Sequence, residues 1–115
     1  MAVVVWGIPN CGTVKKARAA LEAAGIAFVD RDLRASPPSA RDVDRFLAAV
    51  GAKALRNTSG ASYRGLPAAK DAWTEAQWAE AFVRDPMLIK RPVLENNGVV
   101  VGVGFRDDAA LAKLR

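Results

Sequence analysis

Ala2-Val3-Val4-Val5-Trp6-Gly7-Ile8-Pro9-Asn10-Cys11-Gly12-Thr13-Val14-Lys15-Lys16-Ala17-Arg18-Ala19-Ala20-Leu21-Glu22-Ala23-Ala24 changes its periodicity halfway, and that change decides the fold. Ala2 to Gly7 is a run of strand formers closed by Gly7 and Pro9, the pattern of a buried strand. From about Thr13 to Ala24, Val14, Ala17, Leu21 and Ala24 recur at helical spacing opposite Lys15, Lys16, Arg18 and Glu22, and Gly25 supplies the stop. The stretch is therefore a strand-loop-helix unit with a cysteine at the junction.

Ile26 to Leu33 reads as a second strand that ends at the breaker Ser36-Pro37-Pro38, and pairing it parallel to the first requires the intervening helix as crossover. Ser39 is an N-cap for a helix over about Ala40–Val50, with Val43, Phe46, Leu47 and Val50 inward and Gly51 as C-cap; Ala52–Asn57 suits another turn or two. Thr58–Gly65 reads as a polar loop. The capping box Thr74-Glu75-Ala76-Gln77 starts a helix running to about Arg84, and Asp85-Pro86 starts a short one through Ile89. Arg91-Pro92 then favours extended backbone. Val93–Glu95, the turn Asn96-Asn97-Gly98 and Val99–Val103 form a type I′ hairpin, and Asp107 and Asp108 open a closing helix over Ala109–Leu114. The order β-α-β, helices, β-β-α implies a thioredoxin-like α/β fold. It has a central four-stranded mixed sheet in one domain, 1–115, with a helical insertion at about 39–90.

Composition narrows the chemistry. The 115 residues are 51% hydrophobic and 25% charged, ordinary globular usage. The longest apolar run, Met1–Trp6, is far short of the roughly 18 residues of a membrane helix, and it follows no basic leader, so a cytoplasmic, membrane-free monomer is expected. The net charge of +5 is dispersed among alternating signs, as in Asp30, Arg31, Asp32 and Arg34, so direct nucleic-acid binding is not expected. The absence of histidine removes the commonest general base and metal ligand, and a single cysteine excludes thiolate zinc clusters and internal disulfides. No metal site is expected.

Cys11 lies between the first strand and the first helix, at the end of the sheet where α/β proteins bind ligands. A helix N-terminus with Lys15 one turn on favours the thiolate over the thiol; the alternative is a small buried hydrophobe. Rival motifs fail by counting. A Cys-x5-Arg loop would need arginine at Ala17, and a redox Cys-x-x-Cys would need cysteine at Val14, so any resolving thiol comes from outside. Gly102-Val103-Gly104 lacks the third glycine of a dinucleotide fingerprint. Thr13 reads first as a helix cap. Trp6, Trp73 and Trp78 read as packing residues, and Tyr63-Arg64 as surface loop.

Pro9-Asn10-Cys11-Gly12-Thr13, Leu55-Arg56-Asn57, Asp85-Pro86-Met87-Leu88-Ile89-Lys90-Arg91-Pro92-Val93 and Gly104-Phe105-Arg106 together resemble the glutaredoxin-dependent arsenate reductases (ArsC) and their Spx-like relatives, over nearly the whole chain. The opening Gly7-Ile8-Pro9-Asn10-Cys11 resembles most the small Spx-like subgroup of glutathione-dependent reductases. The resemblance implies Cys11 as nucleophile and Arg56, Arg91 and Arg106 as the arginines around an anion. It also implies Asn10, Gly12, Thr13 and Lys15 as supporting residues, and Pro92 as a cis proline beside the cysteine. It further implies glutathione as co-substrate, with glutaredoxin as a partner and no tightly bound cofactor. Where arsenate reductases carry histidine four residues before the cysteine and serine three after, this chain has Gly7 and Val14, so arsenate is not the favoured substrate. The competing expectation is a non-catalytic Spx-like regulator that binds RNA polymerase.

Overall fold

The computed structural model describes residues 2–106 and 108–115. Strand β1 (Val3–Gly7) pairs parallel with β2 (Phe28–Asp32), the crossover being helix α1 (Gly12–Ala23). On its other side β1 pairs antiparallel with β3 (Val93–Asn96), which pairs antiparallel with β4 (Val99–Val103), giving the order β2-β1-β3-β4. Between β2 and β3 lie α2 (Ala40–Leu55), α3 (Ala61–Arg64) and α4 (Glu75–Arg84), and α5 (Leu111–Leu114) closes the chain. The mixed four-stranded sheet is the one expected. No helix among the described residues is long and apolar enough to cross a membrane.

The alternation of β1 sorts the core into two layers. Val3 and Val5 join Val14, Leu21, Leu94, Leu111 and Leu114 on the face covered by α1 and α5. Trp6 faces the other way, into a larger cluster with Phe46, Trp78 and Phe82 from α2 and α4. Trp6 and Trp78 are fully buried and Trp73 packs edge-on against Trp78, as expected of packing residues.

Local chemistry sets the element ends. Both expected N-caps form capping boxes, Ser39 with Asp42 and Thr74 with Gln77. Gly51, at φ 79°, breaks α2 where its C-cap was expected, and the chain resumes as a further helical turn. The Glu75 carboxylate accepts from the Ala52 N–H at 3.2 and 3.3 Å, so α4 caps that second segment. Asn97 (φ 55°) and Gly98 (φ 79°) form the two-residue turn that joins β3 to β4, with Asn96 still in the strand.

Two features depart from the expectations, and a third, a buried carboxylate, was not anticipated. The polar stretch 58–65 contains α3, whose Tyr63 ring stacks on Trp78 at 6.4 Å, so tertiary packing orders a segment with little local helix signal. Cys11, not Thr13, is the N-cap of α1, and it makes no side-chain capping bond. Glu95 is buried at 2% exposure in β3, where its carboxylate accepts from Trp6 Nε1 and pairs with Arg45 of α2. Asp107, expected at the start of the last helix, lies outside the described residues, as does Met1.

Candidate functional site around the start of helix α1

The loop Ile8–Asn10 lifts the chain from the end of β1 and drops Cys11 at the head of α1, with its carbonyl accepting from Lys15 N–H at 3.0 Å. The first N–H groups of a helix have no partner within it, so this end is electropositive. Cys11 is half-buried and packs against the Val3, Val5 and Val14 side of the core. Asn10, Gly12 and Lys15 are exposed around it.

The second part of the site comes from the other half of the chain. The Arg91–Pro92 peptide bond is cis, as the family resemblance implied. Pro92 carbonyl accepts from Gly104 N–H at 2.8 Å, which holds the end of β4 beside the start of β3. Gly104 sits at φ +80°, and a Cβ there would lie 3.2 Å from Lys90 Cε, so the Lys90 stem lies along this turn.

A cavity of about 390 Å³ opens between these pieces, lined by Thr13, Lys90, Arg91, Gly104, Phe105 and Arg106, among others. Three cationic side chains meet there, and none of its lining residues among those described carries a carboxylate. Arg91 Nη1 donates to the carbonyls of Met87 (3.3 Å) and Ile89 (3.5 Å), which holds the guanidinium in place. Its Nε is buried and has no partner among the described residues, so one charged donor is held ready for an acceptor. Such a cavity can take an anion with two or more oxygens.

Of the expected arginines, Arg91 and Arg106 line this cavity, and Thr13 does too. Arg56 lies elsewhere: its guanidinium sits 4.2 Å over the Trp78 ring, and its Nε donates to Ala52 carbonyl at 3.1 Å. Its backbone forms an isolated bridge with Ile89, which steadies the segment leading to Arg91. Lys90 is the lining cation to which the sequence reading assigned no role; its place immediately before Arg91-Pro92 is the signal that could have found it. Gly7 and Val14 touch one another, a Cβ at Gly7 being only 2.7 Å from both Val14 methyls, so apolar packing occupies the place beneath the cysteine loop.

Comparison with known proteins places this geometry in context. The ArsC family model matches residues 6–112. The uncharacterized protein YusI of Bacillus subtilis (strain 168) is 34% identical over 112 residues, which is 94% of each chain. The solved structure of the YFFB (PA3664) protein superposes with a TM-score of 0.89 at 36% identity, covering 99% of this chain and all of that one. An arsenate reductase (ArsC) related protein from Brucella melitensis superposes at 0.77 with 37% identity, covering 97% of this chain and 93% of that one. The fold is the thioredoxin-like one.

Proposed function

The chain belongs to the ArsC family, and from that premise we propose that it is a thiol oxidoreductase in which Cys11 is the nucleophile and glutathione is the co-substrate. In this reading the Cys11 thiolate attacks the sulfur of a glutathione-linked disulfide. A new S–S bond forms between Cys11 and glutathione, and the other thiol leaves with the electron pair and takes a proton from solvent. A second glutathione thiolate attacks that mixed disulfide, leaving as glutathione disulfide and restoring Cys11. The only cysteine is thereby recycled without an internal partner. An oxyanion is the other substrate of this type, and arsenate fits less well because Gly7 and Val14 offer no hydroxyl or imidazole to the thiolate.

The observation that carries the reading is the cation-lined cavity at the head of the Cys11 helix, with the unpartnered Arg91 Nε on its wall. Arg91 and Arg106, aided by Lys90, hold the anionic part of the substrate, and a guanidinium gripping two oxygens orients it toward the sulfur. Arg56 supports the loop before Arg91 from its seat on Trp78. Glutaredoxin is the protein partner that would take up the glutathionyl group.

Intact-mass measurement tests this directly. Incubation with glutathione disulfide should add one glutathionyl group to the wild type and none to Cys11→Ser, and excess glutathione should remove it. An unmodified Cys11 in the folded wild type would sink the proposal.

A further inference from the structure

Four strand ends meet at one rim of the sheet. β1 and β2 run parallel and finish there, β3 starts there, and β4, antiparallel to β3, finishes there. The Cys11 loop follows β1, Lys90 and Arg91 precede β3, and Arg106 follows β4. The chemistry proposed above draws on all of these and leaves out the cation that follows β2. Arg34 stands two residues beyond Asp32, the last residue of that strand. Leu33 N–H donates to the Gly7 carbonyl at 2.9 Å, which fastens this turn to the end of β1 just before the Cys11 loop.

The turn grips Arg34 by its backbone and leaves its charge open. Asp32 Oδ1 accepts from the N–H groups of Arg34 (2.8 Å) and Ala35 (3.1 Å), and the Asp32 carbonyl accepts from Ser36 N–H at 2.8 Å. The exposed guanidinium reaches across to the segment before β3, where its Nη2 lies 3.5 Å from the Met87 sulfur. The Met87 carbonyl accepts from Arg91 Nη1 at 3.3 Å, so one methionine touches both arginines, Arg34 with its side chain and Arg91 with its backbone. A thioether is a weak acceptor and a guanidinium has five N–H donors, so Arg34 keeps most of its donor capacity. Among the described residues it makes no ion pair. Asp85, in the turn beside it, spends its Oδ1 on Met87 N–H at 3.0 Å.

A disulfide has two halves, and the rim offers each a different place. The Arg91–Arg106 cavity opens toward α1, with Thr13 and Phe105 in its lining. Met87 packs on the opposite side, against the cluster of Trp6, Phe46 and Leu88, and Arg34 meets it there in the open. The Cys11 loop leaves from β1, the strand between β2 and β3. Neighbouring strands lie about 4.8 Å apart, so the ends of β2 and β3 are roughly 10 Å apart, the length of about three extended residues. Arg34 is outside the cavity and exposed, so a chain as large as a protein loop can reach it.

We propose that Arg34 selects the thiol that leaves: it belongs to an acidic segment of a protein chain, and an aspartate or glutamate one or two residues from the disulfide-bonded cysteine binds the Arg34 guanidinium. This rests on the reductase reading and adds the class of substrate. The Cys11 thiolate attacks the glutathione sulfur, a bond forms between these two sulfurs, and the bond to the protein's cysteine breaks. That cysteine leaves as a thiolate with the electron pair and takes a proton from solvent. The planar guanidinium suits a carboxylate, which it can hold by two parallel N–H bonds.

The test compares pentapeptides whose central cysteine is glutathionylated and whose flanking residues are glutamate, glutamine or lysine. Transfer of the glutathionyl group to Cys11 is followed by intact mass in wild type, Arg34→Ala and Arg34→Glu, with glutathione disulfide as the reference for each protein. In the wild type the glutamate peptide should react about tenfold faster than the lysine peptide, an advantage that high salt reduces. It should fall to about threefold or less in Arg34→Ala and reverse in Arg34→Glu. Equal rates for the three peptides, or an undiminished glutamate preference in Arg34→Ala, overturn the role of Arg34 while glutathione disulfide still modifies Cys11. A Cys11 modified by none of the four overturns the reductase reading itself. In Cys11→Ser, the glutamate peptide with serine at its centre should shift the amide resonances of Arg34 and Met87, a readout independent of turnover. A stronger response of the same resonances to an oligothymidylate of equal charge would mark a nucleic-acid surface and contradict the proposal.

Discussion

Adding a single methyl group at Gly7 should destabilise the protein measurably. A Cβ at this position would lie 2.7 Å from both Val14 methyls and 3.3 Å from Val14 Cβ. Comfortable carbon contacts are about 3.5–4.0 Å, so the overlap approaches an ångström at two atoms. Val14 is only 4% exposed and packs among Val3, Val5 and Leu21, and a β-branched side chain in a helix is held to one preferred χ1 rotamer, so its methyls do not swing aside freely. Overpacking of this kind costs about 1–3 kcal/mol. With an unfolding entropy of about 2.1 cal/mol/K per residue, a chain of this length loses roughly 4–12 °C in Tm. Val14→Ala removes both obstructing methyls and should itself cost about 1–3 kcal/mol through lost burial. In the double variant the Gly7→Ala penalty should largely vanish, giving a favourable coupling of about 1 kcal/mol or more. Urea denaturation and thermal melts of the four proteins measure this cycle. Additive penalties, or a Gly7→Ala protein with the wild-type midpoint, would refute the claim that these two residues were fitted to one another beneath the cysteine loop.

Three further outcomes are expected. Glu95→Ala should destabilise by about 2–4 kcal/mol in urea, since it strips the buried Trp6 Nε1 of its acceptor and Arg45 of its partner, and Trp6 emission should change with it. Asp42 gives a pH signature. Burial pushes its carboxyl up, but hydrogen bonds from Arg45 and from the Ser39 backbone and hydroxyl outweigh that and hold it below its ordinary 3.8. The stabilisation is thus complete above pH 3.8 and is lost as pH falls through the lower folded value, so the advantage over Asp42→Asn should fade on acid titration in that window. Gly98→Ala should cost about 1–2 kcal/mol in a thermal or urea melt, because φ 79° is left-handed backbone that disfavours a Cβ.

Local signals account for most of the architecture that could be read from the sequence. Asn97-Gly98 carries its own turn geometry, Ser39 and Thr74 their own capping boxes, and Gly51 its own break; each works through neighbours within a few residues. What escaped such reading depends on contacts far apart in the chain. A glutamate in a strand reads as solvent-facing, yet Glu95 is buried because Trp6 and Arg45, 89 and 50 residues away, satisfy its carboxylate. The α3 turn owes its order to Trp78. Thr13, Arg91 and Arg106 were named through the family resemblance and line one cavity, the cis Pro92 was named with them, and geometry adds Lys90 to that lining. Arg56 was expected at the anion, and its seat on Trp78 is set by packing that no local pattern reveals. The Arg18–Asp30 ion pair depends on the register of β2 against β1, which brings Asp30 level with Val5 under α1.

The proposed mechanism has Cys11 working beside an anion held by Arg91. Its most direct test is the rate of Cys11 alkylation by neutral iodoacetamide, with and without sulfate or arsenate, in wild type and in Arg91→Ala. Either oxyanion should slow alkylation of the wild type, and the protection should weaken about tenfold in concentration dependence once the Arg91 charge is removed. Alkylation that ignores both oxyanions, or is protected equally in Arg91→Ala, would contradict it.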